Sequence, residues 1–177
     1  AMPNTVLNTA VAESFRQFAD AVENAKNPDA EIAKLIKDTF AAHKLIATPS
    51  GEMAFLSKEN DSNGCIGTVD VSYPSTPLYL MYCPELVRGM MRPIFDYAKS
   101  EAWQYPFAPH DCGQYPLCNG QVYGNNELKY QMPVEECGNA ILTVAAATRA
   151  DGDCTLADEN REILHAWADY LVEYGYN

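Results

Sequence analysis

Met132-Pro133-Val134-Glu135-Glu136-Cys137-Gly138-Asn139 opens a long helix, and this stretch sets the fold class. Proline suits the first helical position, because the N–H it lacks would have no partner there. Two carboxylates follow in the first turn, where the free N–H groups favour the ionised form. The helix is expected to run to about residue 149. Neighbouring residues on a helix project about 100° apart. Glu135 and Glu136 therefore cannot both face one point: one is available to a cleft while the other caps the helix. Asn139 lies three and four residues on, within reach of either. The plainer alternative is two ordinary first-turn acids.

Helical spacing recurs on both sides. Downstream, Thr155 is read as the cap of another helix, with Asp158 in the capping-box position and Leu156, Ile163, Trp167, Tyr170, Leu171 and Tyr174 as its apolar stripe. Gly175 can end it. Upstream, Pro84 starts a helix with Leu86, Val87, Met90, Met91, Ile94 and Ala98 inward, and Pro93 inside it should kink or shift it. Two further helices are expected near the N-terminus, over about 5–25 and about 28–43. Leu7, Val11, Phe15, Phe18 and Val22 line the first. Ile32, Leu35, Ile36, Phe40 and His43 line the second, which Asn27-Pro28 opens. Leu45-Ile46-Ala47 and Met53-Ala54-Phe55-Leu56 flank Thr48-Pro49-Ser50-Gly51 and read as a small β-hairpin. Residues 101–131 show no period and carry Trp103, Tyr105, Phe107, Tyr115, Tyr123 and Tyr130 among prolines and glycines; loops of such length often serve function. The class is mostly α: helical hairpins with a small β-hairpin and long loops.

Composition narrows the function. The 177 residues fit one domain, and 47% hydrophobic content is enough for a core. The net charge of −12 leaves no basic patch, which argues against nucleic acid and anionic membranes as partners. No apolar run is long enough to span a bilayer. Ala1-Met2-Pro3-Asn4 has no signal-peptide features and reads as the middle of a longer protein. The six cysteines are Cys65, Cys83, Cys112, Cys118, Cys137 and Cys154. They are read as free thiols, although Cys112 and Cys118 are close enough in a loop to pair.

Two more stretches offer chemistry. In Thr68-Val69-Asp70-Val71-Ser72-Tyr73-Pro74, taken as a short β-like segment, Asp70 is out of place unless it is an acid, a base or a ligand anchor; the alternative is a turn Asp bonding its own backbone. In the irregular loop, His110 and Asp111 are neighbours, without the nucleophile that a triad needs. Glu59, Asn60, Asp61, Asn63 and Asp70 could supply oxygens to Ca²⁺, but not at the spacing of an EF-hand, so a solvated loop is preferred and no cofactor is expected. His43, His110 and His165 lack zinc-ligand spacing, and no metal site is expected. Phosphate-binding glycine loops and a G-x-S-x-G elbow are absent from the sequence.

The same stretches resemble the central module of the glutaminase A family. The matching blocks are Ala41-Ala42-His43-Lys44-Leu45, Phe55-Leu56-Ser57-Lys58-Glu59-Asn60, Asn63-Gly64-Cys65-Ile66-Gly67-Thr68-Val69-Asp70-Val71 and Tyr73-Pro74-Ser75-Thr76-Pro77-Leu78. Residues 106–116, Asn119-Gly120-Gln121 and residues 132–139 continue in the family's order, and the match covers about residues 30–175. Residues 122–131 depart from the pattern as an insert that can reshape the site's mouth.

The resemblance implies an (α/α) six-hairpin toroid shared with many glycoside hydrolases. With about five long helices, this chain would supply roughly half of one. The expectation is one module, residues 1–177, of a larger secreted or periplasmic protein. It implies glutaminase-like hydrolysis of an amide, with a glycan-active six-hairpin module as the alternative and a non-catalytic scaffold as the third. By the same resemblance, polar loops gather at one mouth. Asp70, Glu135 and Glu136 are then the catalytic candidates, and Lys58, Asn60, His110, Asp111, Tyr115 and Asn139 the substrate-binding ones. Expected partners are a small-molecule or glycan substrate and the rest of the parent chain. The module alone is expected to be inactive and prone to self-association through an uncovered apolar face.

Overall fold

The structure, a computed structural model, describes residues 34, 38–39, 41–59 and 62–176. The expected helix over about 5–25 lies outside them, as does most of the one over about 28–43. Lys34, Asp38, Thr39 and Ala41 are helical, but the chain leaves the helix before His43, which begins a strand instead.

Strands β1 (His43–Ala47) and β2 (Met53–Ser57) form the expected antiparallel hairpin, with Leu45 opposite Phe55. Gly51 takes a left-handed φ of 93° in the turn, where Thr48 N–H donates to the Glu52 carbonyl. β2 is buried along its whole length beneath α2 (Pro84–Ala98). Gly89 on α2 permits that approach, because a Cβ there would stand 3.2 Å from the Phe55 nitrogen. Leu86, Val87, Met90, Met91 and Ile94 face inward as their spacing requires, and α2 continues past Pro93 to Ala98.

The segment from Thr68 is not β-like. It opens helix α1 (Val69–Tyr82), which runs through Pro74 and Pro77. Its inward residues are Val69, Ser72, Thr76 and Tyr79, and the small polar Ser72 and Thr76 among them leave the apolar period faint. Pro77 cannot donate to the Tyr73 carbonyl, but the Thr76 hydroxyl donates to it at 2.8 Å and fills the gap. Thr76→Val keeps the shape and loses that bond. It is expected to cost about 1 kcal/mol, read as a lower urea midpoint at unchanged slope.

Helix α3 (Pro133–Asp151) packs against α1, α2 and α5 (Arg161–Tyr174). Gly152, at φ 80°, ends it in a left-handed cap. The last helical stretch is not continuous: a short α4 (Thr155–Glu159) precedes α5, with a break at Asn160. The Asn160 amide reaches back to the Leu156 carbonyl at 2.7 Å, and its own carbonyl accepts from Leu164 N–H. Thr155 is the first residue of α4 rather than its cap; the Asp153 carboxylate accepts from both its N–H and its hydroxyl. Asp158 pairs with Arg161 instead of reaching back to a cap.

Two apolar clusters hold the fold. In the larger, Phe95 of α2 stacks on Trp167 of α5 at 5.3 Å, and Trp103, Tyr105 and Phe107 pack on one another. In the smaller, Phe55, His43 and Tyr79 pack on one another. Arg88, buried on α2, forks onto Asp151 and ties α2 to the end of α3. The described part is thus mostly helical, with a small hairpin laid on it. None of its helices is long and apolar enough to cross a membrane.

Candidate functional site

The irregular segment over residues 101–131, with two short 3-10 turns at Tyr123–Asn126 and Leu128–Tyr130, folds back over the N-termini of α1 and α3. Residues on either side of Ile66 and Cys112 hydrogen-bond in turn. Tyr115 N–H donates to the Gly64 carbonyl, Ile66 N–H to Gly113, Cys112 N–H to Ile66, and Val69 N–H to His110. Gly67, at φ 66°, lies so close that a Cβ would meet the Cys112 sulfur at 2.4 Å. This pairing fixes the start of α1, and so Asp70, against His110. The Ala108 N–H donates to Cys137 Sγ at 3.3 Å and fixes the same loop against the first turn of α3.

The result is a cluster of Asp70, His110 and Glu136. One ligating atom from each lies within 4.8 Å of the others. His110 and Glu136 are buried and Asp70 half-buried. His110 Nε2 stands 3.8 Å from Asp70 Oδ1, too far for a hydrogen bond. Its Nδ1 is 3.0 Å from Asp111 Oδ2, which orients the ring, and Tyr123 stacks on its face at 4.0 Å. Asp111 is fully buried. It also accepts from the N–H groups of Gly113, Val122 and Tyr123.

Glu136 points inward and Glu135 is exposed, which resolves the first-turn pair. Among the described residues, neither oxygen of Glu136 has a hydrogen-bond partner, and Asp70 Oδ1 has none either. Burial foremost, then the negative charges of Asp70, Glu135, Asp111 and Glu59, push the Glu136 carboxyl up to about 9. At neutral pH it therefore holds its proton.

Other candidates sit apart. Asn139 is half-buried one turn along α3 and makes no hydrogen bond to Glu136. Lys58 Nζ lies 5.7 Å over the exposed Tyr115 ring. Asn60 lies outside the described residues, as does Asp61. The oxygens considered for Ca²⁺ have other tasks: Asn63 Oδ1 accepts from Cys65 N–H, and Glu59 from the Thr68 hydroxyl.

Against this geometry stands the match to a family model, the glutaminase A six helical-hairpin domain, over residues 26–177. The chain belongs to the glutaminase A six helical-hairpin domain family. It is 34% identical over 156 residues to Glutaminase A of Aspergillus oryzae, covering 87% of this chain and 22% of that protein. It is 32% identical over 112 residues to a probable glutaminase of Arthroderma benhamiae, covering 63% of this chain and 12% of that protein. The chain thus spans less than a quarter of the length of these curated relatives. No solved structure matches it.

In this glutaminase A domain, sequence reasoning passed over Gln121 and Tyr123 as parts of the site. Buried Gln121 accepts from His110 N–H at 2.6 Å and donates to Asn126 and Gln131. Residues 122–131 therefore hold up the site rather than only shaping its mouth. The domain also gathers metal donors that no sequence spacing announced. Asp70, His110 and Glu136 form one set; Cys65, His110 and Asp111 form another. The first is the better ligand set, because the Cys65 thiol is pushed up to about 12, chiefly by burial.

Proposed function

We propose that this chain carries the acid–base centre of an exported glutaminase-like hydrolase that cleaves the side-chain amide of glutamine. The observation that carries the reading is Glu136, a buried, unpartnered carboxyl that keeps its proton at neutral pH. Glu136 protonates the departing nitrogen as the carbon–nitrogen bond breaks. Asp70, facing His110 Nε2, takes the proton of the attacking water. Asp111 holds the imidazole in place. Ammonia leaves, and the proton taken up by Asp70 passes through solvent to Glu136, which resets both groups. The names of the fungal relatives support the substrate class.

Burial of two of the loop's large aromatics favours an amide over a glycan. Trp103 and Phe107 are buried, so their rings pack the core instead of facing a sugar. In the parent protein the chain is one module of a six-hairpin toroid, with the other hairpins closing the substrate cleft.

The test is ammonia release from glutamine by this chain and by a longer chain that contains it. Release by the longer chain that is lost in Asp70→Asn and Glu136→Gln supports the reading; release untouched by both substitutions overturns it. A chelator arm separates a second reading, favoured by the unpartnered oxygens. Activity that survives chelation keeps Glu136 as the acid, and activity lost with the metal makes Glu136 a ligand.

A further inference from the structure

Cys112 and Cys118 take no part in the chemistry above, yet they adjoin its hub. Leu117 N–H donates to the Gln114 carbonyl and Gly120 N–H to the Cys112 carbonyl, so the chain between them doubles back. Gly113 is at φ 137°, and a Cβ there would stand 2.6 Å from the Asn119 nitrogen. The residues beside the two cysteines are thus in contact, and each thiol shifts the ionisation of the other. Cys112 is buried and Cys118 exposed. Both line an open cavity of about 500 Å³, with Ile46, Pro93, Tyr97 and Asn119 among its other walls.

We propose that Cys112 and Cys118 form a reversible disulfide, made by exchange with a small disulfide such as oxidised glutathione, that staples the loop presenting His110 and Asp111. The Cys118 thiolate attacks one sulfur of the external disulfide, whose S–S bond breaks, and one glutathione leaves and takes up a proton. Cys112 then gives its proton to solvent and attacks the Cys118 sulfur, releasing the second glutathione. Two protein thiols are oxidised and one external disulfide is reduced. The order follows from the site: Cys118 is the exposed thiol that an external disulfide meets first, and the neighbouring Cys112 lowers its pKa. Cys112, whose thiol donates to the Ile66 carbonyl at 3.1 Å, gives up that bond to resolve the mixed disulfide. Cys65 and Cys137 are buried and do not flank the turn that brings residues 112–113 against 119–120, so they stay out of the exchange.

The test treats the whole chain with oxidised glutathione and digests it with trypsin. Residues 100–129 form one tryptic peptide that holds both sulfurs and no other cysteine. The peptide is expected to become lighter by two hydrogens and to regain them with dithiothreitol. Cys112→Ser should stop at a glutathione adduct on Cys118. Oxidation should raise the wild-type Tm by about 5 °C relative to the same treatment of the Cys112→Ser/Cys118→Ser variant. A wild-type peptide that stays at its reduced mass, or carries glutathione on Cys118 without closing the ring, overturns the proposal.

Discussion

Glu136→Gln is expected to cut ammonia release at least about 100-fold while making the fold less sensitive to rising pH. The first effect follows because an amide side chain cannot deliver the proton that Glu136 holds. The second follows from linkage. The folded-state carboxyl sits at about 9, against 4.5 for the unperturbed group. A raised pKa means that stability is fully present below 4.5 and is lost as pH climbs through 9. Between those values the folded chain must take up a proton that the unfolded chain has released, at about 1.4 kcal/mol for each pH unit. The variant is free of that cost. Relative to wild type, its stability should gain about 3 kcal/mol between pH 4.5 and pH 7. Urea unfolding of both proteins at the two pH values measures it. A stability difference that does not move with pH would mean that Glu136 is ionised in the folded protein, which removes the acid from the mechanism.

That one carboxyl shows where sequence reading ends. The helix behind it was legible, since Pro133 starts it and its apolar spacing carries it on. So were the β-hairpin and α2, whose turn residues and inward stripe agree with the packing. Which of Glu135 and Glu136 faces in was not legible, because the answer depends on where α1 and the 101–131 segment press against α3. Asp70 drew attention as an acid misplaced in a strand. It is instead in the first turn of a helix, where an acid is at home. Its interest lies in facing His110, a contact made by hydrogen bonds across 40 residues of chain. Helix α1 itself was missed, because Pro74 and Pro77 mask it and its buried face includes Ser72 and Thr76. Gln121 and Tyr123 drew notice only within a family block and an aromatic loop: a glutamine under a backbone N–H and a tyrosine stacked on an imidazole look like loop residues until the loop is folded. The family resemblance brought the right blocks together, but not their contacts.

Asp111→Ala is expected to cost about 3–5 kcal/mol, a large share of the 5–15 kcal/mol that holds a typical domain folded. The side chain is fully buried and joins four groups: the His110 ring and the N–H groups of Gly113, Val122 and Tyr123. Removing it leaves three backbone donors and an imidazole without their acceptor, in a place water reaches poorly. Asp111→Asn should be milder, because its remaining carbonyl oxygen can still accept from Gly113 and Val122 while its amide meets Tyr123 N–H and His110 Nδ1. Urea unfolding should therefore rank wild type above Asn and Asn above Ala. Activity should fall in both variants even where the fold survives, since a ring no longer oriented by Asp111 cannot hold Nε2 towards Asp70. Gln121→Ala is the comparison that separates the two roles. It removes the acceptor of His110 N–H and the donor to Asn126 and Gln131 and should cost about 1–2 kcal/mol, while Asp111 still orients the ring. If Asp111→Ala proved no more damaging than Gln121→Ala, the buried carboxylate would not be the hub that joins residues 110–123, and the site's geometry would have to rest on the packing of Tyr123 against His110.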